Sequence, residues 1–114
     1  MTMKGSHVRT AALFLSLIQV AAACSSYHGP TVAGVSERLT AELHSGDPEY
    51  RVKAVLNGLG VSFCYNEFDN RFEGTIPESR HTKGGIEGVI LVHAYLNADG
   101  SFRRFTVEEI LTFI

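Results

Sequence analysis

The chain has 114 residues, of which 45% are hydrophobic and 19% are charged, and its formal net charge at pH 7 is −2. This length and composition predict one globular domain. The lack of a basic excess argues against a nucleic-acid-binding protein, which would show a basic patch. It also argues against attraction of the chain to anionic lipid by charge.

The N-terminal segment has the three parts of a secretory signal peptide. Lys4 and Arg9 form a short basic start, the apolar run from Ala11 to Ala23 follows, and the run ends in small residues before Cys24. This run is shorter than the about 20 residues that a spanning helix needs. The pattern therefore predicts a cleavable signal peptide over residues 1–23.

Cys24 leaves two interpretations of the cleavage site open. Ala23-Cys24 resembles the lipobox of bacterial lipoproteins, which implies cleavage before Cys24 and membrane attachment through lipid on that cysteine. Ser25 stands where lipoproteins kept on the inner membrane tend to have Asp, so an outer-membrane position facing the periplasm is expected. Ala21-x-Ala23 also fits the general signal peptidase, which would release a soluble periplasmic protein with a Cys24–Cys64 disulfide.

A tether and a first helix are predicted after the cysteine. Residues 24–34 contain Ser, Tyr, His, Gly, Pro and Thr without periodicity, which is typical of a linker. The single domain is expected over residues 35–114, and its first helix over Val35–His44 with Ser36 as the cap. Apolar residues at a spacing of four define the buried face of this helix: Val35, Leu39 and Leu43.

A second helix is predicted to start at Asp47-Pro48-Glu49. Asp47 is expected to cap it, while Pro48 fits the first turn and Glu49 favours the positive end of the helix dipole. Gly58 or Gly60 is expected to end it. Its apolar face comprises Val52, Val55, Leu56 and Leu59.

Strand patterns fill the rest of the chain. A polar loop is expected over Pro77–Gly85, a hairpin turn at Asp99-Gly100, and a β-bulge near Arg103-Arg104. Residues Glu108–Ile114 could extend the last strand or start another. The predicted strands are Val61–Tyr65, Arg71–Ile76, Ile86–Asn97 and Ser101–Val107. The fold class that follows is α+β, with two short helices packed on one face of an antiparallel sheet of about four strands.

The sequence favours a non-catalytic protein without a metal or cofactor. No two histidines have metal-ligand spacing, and no Gly-x-Ser-x-Gly motif occurs. If Cys24 carries lipid, Cys64 is expected to be a buried, unpaired thiol, and no basic neighbour in sequence would lower its pKa. The alternative is a small periplasmic enzyme that uses Cys64 or a His–carboxylate pair.

A basic group in the otherwise acidic domain is the candidate binding surface. Its members fall in the predicted Pro77–Gly85 loop and on the last strand: Arg80, His81, Lys83, Arg103 and Arg104. If these residues meet in space, they could dock an acidic protein partner or lipid headgroups. Otherwise they serve to keep the edges of the sheet from pairing with other chains.

The order of signal peptide, cysteine, tether, two helices and antiparallel strands resembles the BamE-like (SmpA/OmlA) outer-membrane assembly lipoproteins. The local points of resemblance are Gly46-Asp47-Pro48 at a helix start, Val55–Gly60 at its end and the hairpin Leu96–Gly100. The resemblance implies a non-enzymatic envelope scaffold with a protein partner. It transfers no binding residue to this chain.

Overall fold

The computed structural model describes residues 28–114. The elements in this range, in chain order, are α1 (Val32–Glu42), α2 (Glu49–Gly58), β1 (Ser62–Asn66), β2 (Arg71–Lys83), β3 (Ile86–Leu96) and β4 (Phe102–Phe113). The strands form one antiparallel sheet in the order β1-β2-β3-β4. The α+β fold predicted from the sequence is confirmed. The predicted signal peptide, Cys24 and the first part of the tether lie outside the described residues.

Helix α1 begins earlier than the sequence suggested. The side chain of Thr31 accepts a hydrogen bond from the backbone N–H of Gly34 at 3.0 Å, so Thr31 is the cap and not Ser36. Residues Val32–Gly34, which were expected in the tether, therefore belong to the helix. The predicted apolar face is confirmed, because Val35, Leu39 and Leu43 are buried.

Helix α2 has its predicted position but not its predicted cap. Its N-cap residue is Pro48, which makes no side-chain cap hydrogen bond. The Oδ2 atom of Asp47 instead accepts the backbone N–H of His44 at 2.9 Å. The Asp47 carboxylate thus closes the turn between the two helices.

Strand β2 continues through the segment that was expected to be a polar loop, so the Pro77–Gly85 loop prediction is wrong. Proline usually excludes a central strand because it cannot donate to the ladder. β1 stops pairing at Ser62, opposite Thr75. At Pro77, β2 therefore has no strand on that side, and the missing N–H is tolerated. The register of β2 against β3 then shifts between Ile76 and His81.

Strand β4 is continuous and includes the C-terminal segment whose status the sequence left open. The bulge expected near Arg103-Arg104 is confirmed, since Phe102 pairs with Leu96 and Arg104 with Tyr95, which leaves Arg103 as the extra residue. β1 and β4 are the two edges of the sheet.

The hydrophobic core lies between the helices and one face of the sheet. Strands β2 and β3 alternate between this core face and the opposite face, as the sequence predicted for Phe72 and Ile76. The expected burial of Leu56, Ile90 and Val92 is also confirmed. The buried cluster comprises Val35, Leu39, Leu43, Val52, Val55, Leu56, Val61, Phe72, Ile76, Ile90, Val92, Ala94, Leu96 and Phe102. Among residues 28–114, no helix has the length and apolar character to cross a membrane.

Candidate functional site on the open face of the sheet

The sheet face opposite the helices, here called the open face, carries a polar and aromatic cluster. Antiparallel partners share a face, so the strand register places Asn66, Arg71, Tyr95 and Arg104 side by side across β1 to β4. The helices cover only the other face. The open face is therefore a surface on which strand geometry, and not a loop, positions polar side chains.

Tyr95 lies between two arginines in this row. The guanidinium carbon of Arg104 is 3.9 Å from the centroid of the Tyr95 ring, and that of Arg71 is 5.4 Å away. The Nη1 of Arg71 also donates to the Tyr95 hydroxyl at 3.0 Å. A cation over an aromatic ring is attracted by the ring quadrupole. Both guanidinium groups are therefore held close to the ring.

Glu73 connects the same group to β1. Its Oε1 accepts a hydrogen bond from Nδ2 of Asn66 at 2.6 Å and from Nε of Arg71 at 3.3 Å. The Oδ1 of Asn66 accepts the backbone N–H groups of Phe68 and Asp69, which orients the amide toward Glu73. The Asn66 hydrogen bond is the main reason why the pKa of Glu73 lies below its ordinary value, and Arg71 adds to it.

A second row crosses the open face one step along the strands. It contains Cys64, Glu73, His93 and Thr106. Cys64 is exposed, so its expected burial is wrong; strand β1 turns its side chain to the open face and away from the core. The backbones of Cys64 and His93 are two strands, about 10 Å, apart. With Glu73 between them, this arrangement forms no cysteine–histidine pair.

The five basic residues predicted from the sequence fall into two separate groups. Arg80 forms an ion pair with Glu87, and Nε2 of His81 lies 3.9 Å from Glu109. His81 pairs with Gly88 on β3, whereas Arg104 pairs with Tyr95. Seven strand residues separate these positions, which corresponds to about 23 Å. Arg80, His81 and Lys83 thus lie at one end of the sheet and Arg103 and Arg104 at the other, and they do not meet.

Sequence reasoning singled out Arg104 but missed its neighbours Arg71 and Tyr95. A signal was present, because the odd-numbered residues of β3 are half polar and share one face. The pattern did not predict the strand register, which places Arg71 and Arg104 on either side of Tyr95.

Within residues 28–114, no group of three or more histidine, cysteine, aspartate or glutamate side chains is arranged to hold a metal ion. Comparison of the chain with protein-family models, with curated proteins and with solved structures gives no match.

Proposed function

We propose that the chain is a lipid-anchored protein of the bacterial envelope whose domain is a non-catalytic module that binds another envelope protein through the open face. The observation that carries the binding role is the placement of Tyr95 between Arg71 and Arg104. The anchoring role rests on the apolar run that ends at Cys24.

The chemistry of the cluster suits a protein partner. Tyrosine and arginine are enriched in protein interfaces and among the residues that contribute most to binding. The stacking of Arg104 on Tyr95 limits the freedom that this long side chain would lose on binding, which lowers the cost of association. Sites built on strands are also positioned more precisely than sites on loops.

The position of Cys24 limits where that partner can be. Eight residues along the chain lead from Cys24 to Val32, where α1 begins. A fully extended chain of this length spans at most about 26–29 Å. With lipid on Cys24, the domain would stay close to the membrane, and its partner would be a membrane protein or another protein held near the bilayer. This agrees with the scaffold role that the BamE-like resemblance implies.

Site-specific crosslinking in cells tests the binding role. A photoreactive phenylalanine analogue at Tyr95 should give an adduct with a specific envelope protein. The same analogue at Thr40, which is exposed on α1, is the matched control and should not give that adduct. Equal adducts from both positions, or none from Tyr95 in a chain that is folded and membrane-bound, would refute binding through the open face.

The anchor is tested separately by the intact mass of the protein isolated from a membrane fraction. The expected product begins at Cys24 and carries acyl chains. A soluble product with an unmodified Cys24 would contradict the anchor while leaving the binding role of the open face to the crosslinking experiment.

A further inference from the structure

Strand β4 offers an unpaired edge. At its start the backbone N–H of Phe102 donates to the carbonyl of Asp47 at 2.7 Å, and its carbonyl accepts the N–H of Gly46 at 2.8 Å. From Arg103 onward, no strand of the described chain lies on this side, because β4 is the last strand in the sheet order. Edges of this kind can pair with another chain unless charges or bulges prevent it.

The register shows which backbone groups of β4 face outward. At its end the N–H of Ile114 donates to Gly85, which lies toward β3. Backbone groups alternate sides along an antiparallel strand. The N–H and C=O groups of Phe113 therefore point away from β3, and so do those of every second residue before it along β4. Phe105, Val107 and Glu109 therefore direct their N–H and C=O groups away from β3, where a further strand could accept them.

The charges of β4 are symmetric about Thr106. Arg103-Arg104 precede it and Glu108-Glu109 follow it at equal distances. If a second β4 lies antiparallel with the twofold axis at Thr106, Arg104 of each copy lies opposite Glu108 of the other. Phe105 then lies opposite Val107 of the other copy. Both have outward backbone groups, so they form a hydrogen-bonded pair, and opposite charges across strands stabilise the pairing.

We propose that β4 pairs with β4 of a second copy of this chain in this register, which makes an eight-stranded sheet across the two copies. The bonds of Phe102 to Gly46 and Asp47 limit the paired segment to about Arg103–Glu109. Arg104 and Glu108 share the open face, so the two open faces become one continuous surface. This inference does not depend on the lipid anchor or on the identity of a partner.

Other registers lose the charge pairing. An axis at Glu108 would place this carboxylate opposite its own copy, and like charges across strands are unfavourable. An axis at Leu111 would place the exposed Leu111 opposite its own copy and the exposed Phe113 opposite Glu109, and it would form no arginine–glutamate pair. The register with its axis at Thr106 is the one that both pairs opposite charges and places outward backbone groups opposite each other.

Charge reversal tests the pairing in the full-length chain, with two copies that carry different tags and are expressed together. Arg104→Glu in both copies, or Glu108→Arg in both, should weaken recovery of one tagged copy with the other by about tenfold, because two attractive pairs become repulsive. One copy with Arg104→Glu and one with Glu108→Arg should associate as the wild type does. Lys83→Glu, at the far end of the sheet, is the control and should have no effect.

The mixed pair makes the test independent of folding, since a variant that failed to fold could not be rescued by the other. If the two copies of the mixed pair associated as weakly as two copies that carry the same variant, the proposal would be overturned. Absence of association in the wild type, or association that neither Arg104→Glu nor Glu108→Arg weakens, would overturn it as well.

Disulfide crosslinking tests the register. At the twofold axis the two copies of residue 106 would have Cα atoms about 4.5–5.5 Å apart, which a disulfide can bridge. In a Cys64→Ser background, Thr106→Cys should give a disulfide-linked dimer that Cys64→Ser alone does not. Thr112→Cys, on the same face of β4, should give none. A dimer that forms through residue 112 and not through residue 106 would refute the register.

Discussion

The hydroxyl oxygen of Ser79 accepts the backbone N–H of Ile90 at 2.8 Å, at the point where the pairing of β2 with β3 is interrupted. The same hydroxyl donates to the carbonyl of Ile76 at 2.6 Å, and Ser79 is fully buried. A side chain thus replaces a backbone partner in the sheet. This allows β2 to carry its extra residues without leaving the N–H of Ile90 unpaired.

The first prediction follows from that contact. Ser79→Ala should lower the free energy of unfolding by about 1–3 kcal/mol, because it leaves a buried N–H without its acceptor. Urea unfolding measures the loss. Ser62→Ala, at an exposed position on β1, is the control and should change stability by less than about 0.5 kcal/mol. Equal effects of the two changes would show that the hydroxyl of Ser79 does not stabilise the sheet where the pairing of β2 with β3 is interrupted.

The second prediction concerns the close approach of β1 and β2 at Gly74. A Cβ atom at this position would lie 2.0 Å from the carbonyl oxygen of Ser62 and 2.6 Å from the Cα of Phe63. These are backbone atoms and cannot rotate away, so Gly74→Ala should destabilise the domain by at least about 1–3 kcal/mol.

Gly58→Ala is the matched control for this change. A Cβ at Gly58 meets nothing within 4 Å, and the residue lies in α2. Alanine is favoured over glycine in a helix, so this variant should be neutral or more stable by up to about 1 kcal/mol. Thermal unfolding of both variants compares them, and a Gly74→Ala protein as stable as Gly58→Ala would contradict the close approach of the strands.

The third prediction tests the packing of α2 on the sheet. Leu56 is 1% exposed, and Leu56→Ala should cost about 2–5 kcal/mol from lost burial and the cavity that remains. Asn57→Ala changes the adjacent, exposed residue of the same helix and should change stability little. A loss below about 1 kcal/mol for Leu56→Ala in equilibrium unfolding would place this side chain outside the core.

The fourth prediction concerns pH. The pKa of Glu73 lies below its ordinary value of 4.5, first because Asn66 donates to the carboxylate and then because of Arg71. A carboxylate whose pKa is depressed by folding stabilises the folded state above the ordinary pKa, and this contribution is lost as the pH falls through the lower, folded-state pKa. Wild type should therefore be more stable than Glu73→Gln at pH 7, and the difference should shrink below about pH 4.

Carbon NMR of the side-chain carboxyl measures the pKa of Glu73 directly. Asn66→Ala removes the first donor and should raise this pKa toward its ordinary value. Glu67→Gln, in the turn after β1, is the control: it shows how far the pKa of Glu73 changes when a nearby negative charge is lost. A pKa of Glu73 that Asn66→Ala leaves unchanged would rule out the amide as its cause.

Local sequence patterns predicted the order of the two helices and four strands and the inner faces of these elements. The spacing of Val52, Val55 and Leu56 predicted the buried side of α2, and the alternation of Phe72 and Ile76 predicted the core side of β2. Both predictions succeed because helix and strand periods are properties of neighbouring residues, and a hydrophobic side chain is stabilised by burial whatever it packs against.

Tertiary structure decided what the remaining polar residues do. Asp47 precedes α2 as a capping residue would, but its carboxylate accepts the N–H of His44. Pro77 would normally interrupt a strand, but it lies past the end of β1, where β2 has no strand on that side. Cys64 faces solvent because β1 turns it to the open face. Arg71 and Arg104 meet Tyr95 through strands that are distant in sequence. Such contacts depend on register between strands, which local periodicity does not encode, and so the candidate site was set by the fold.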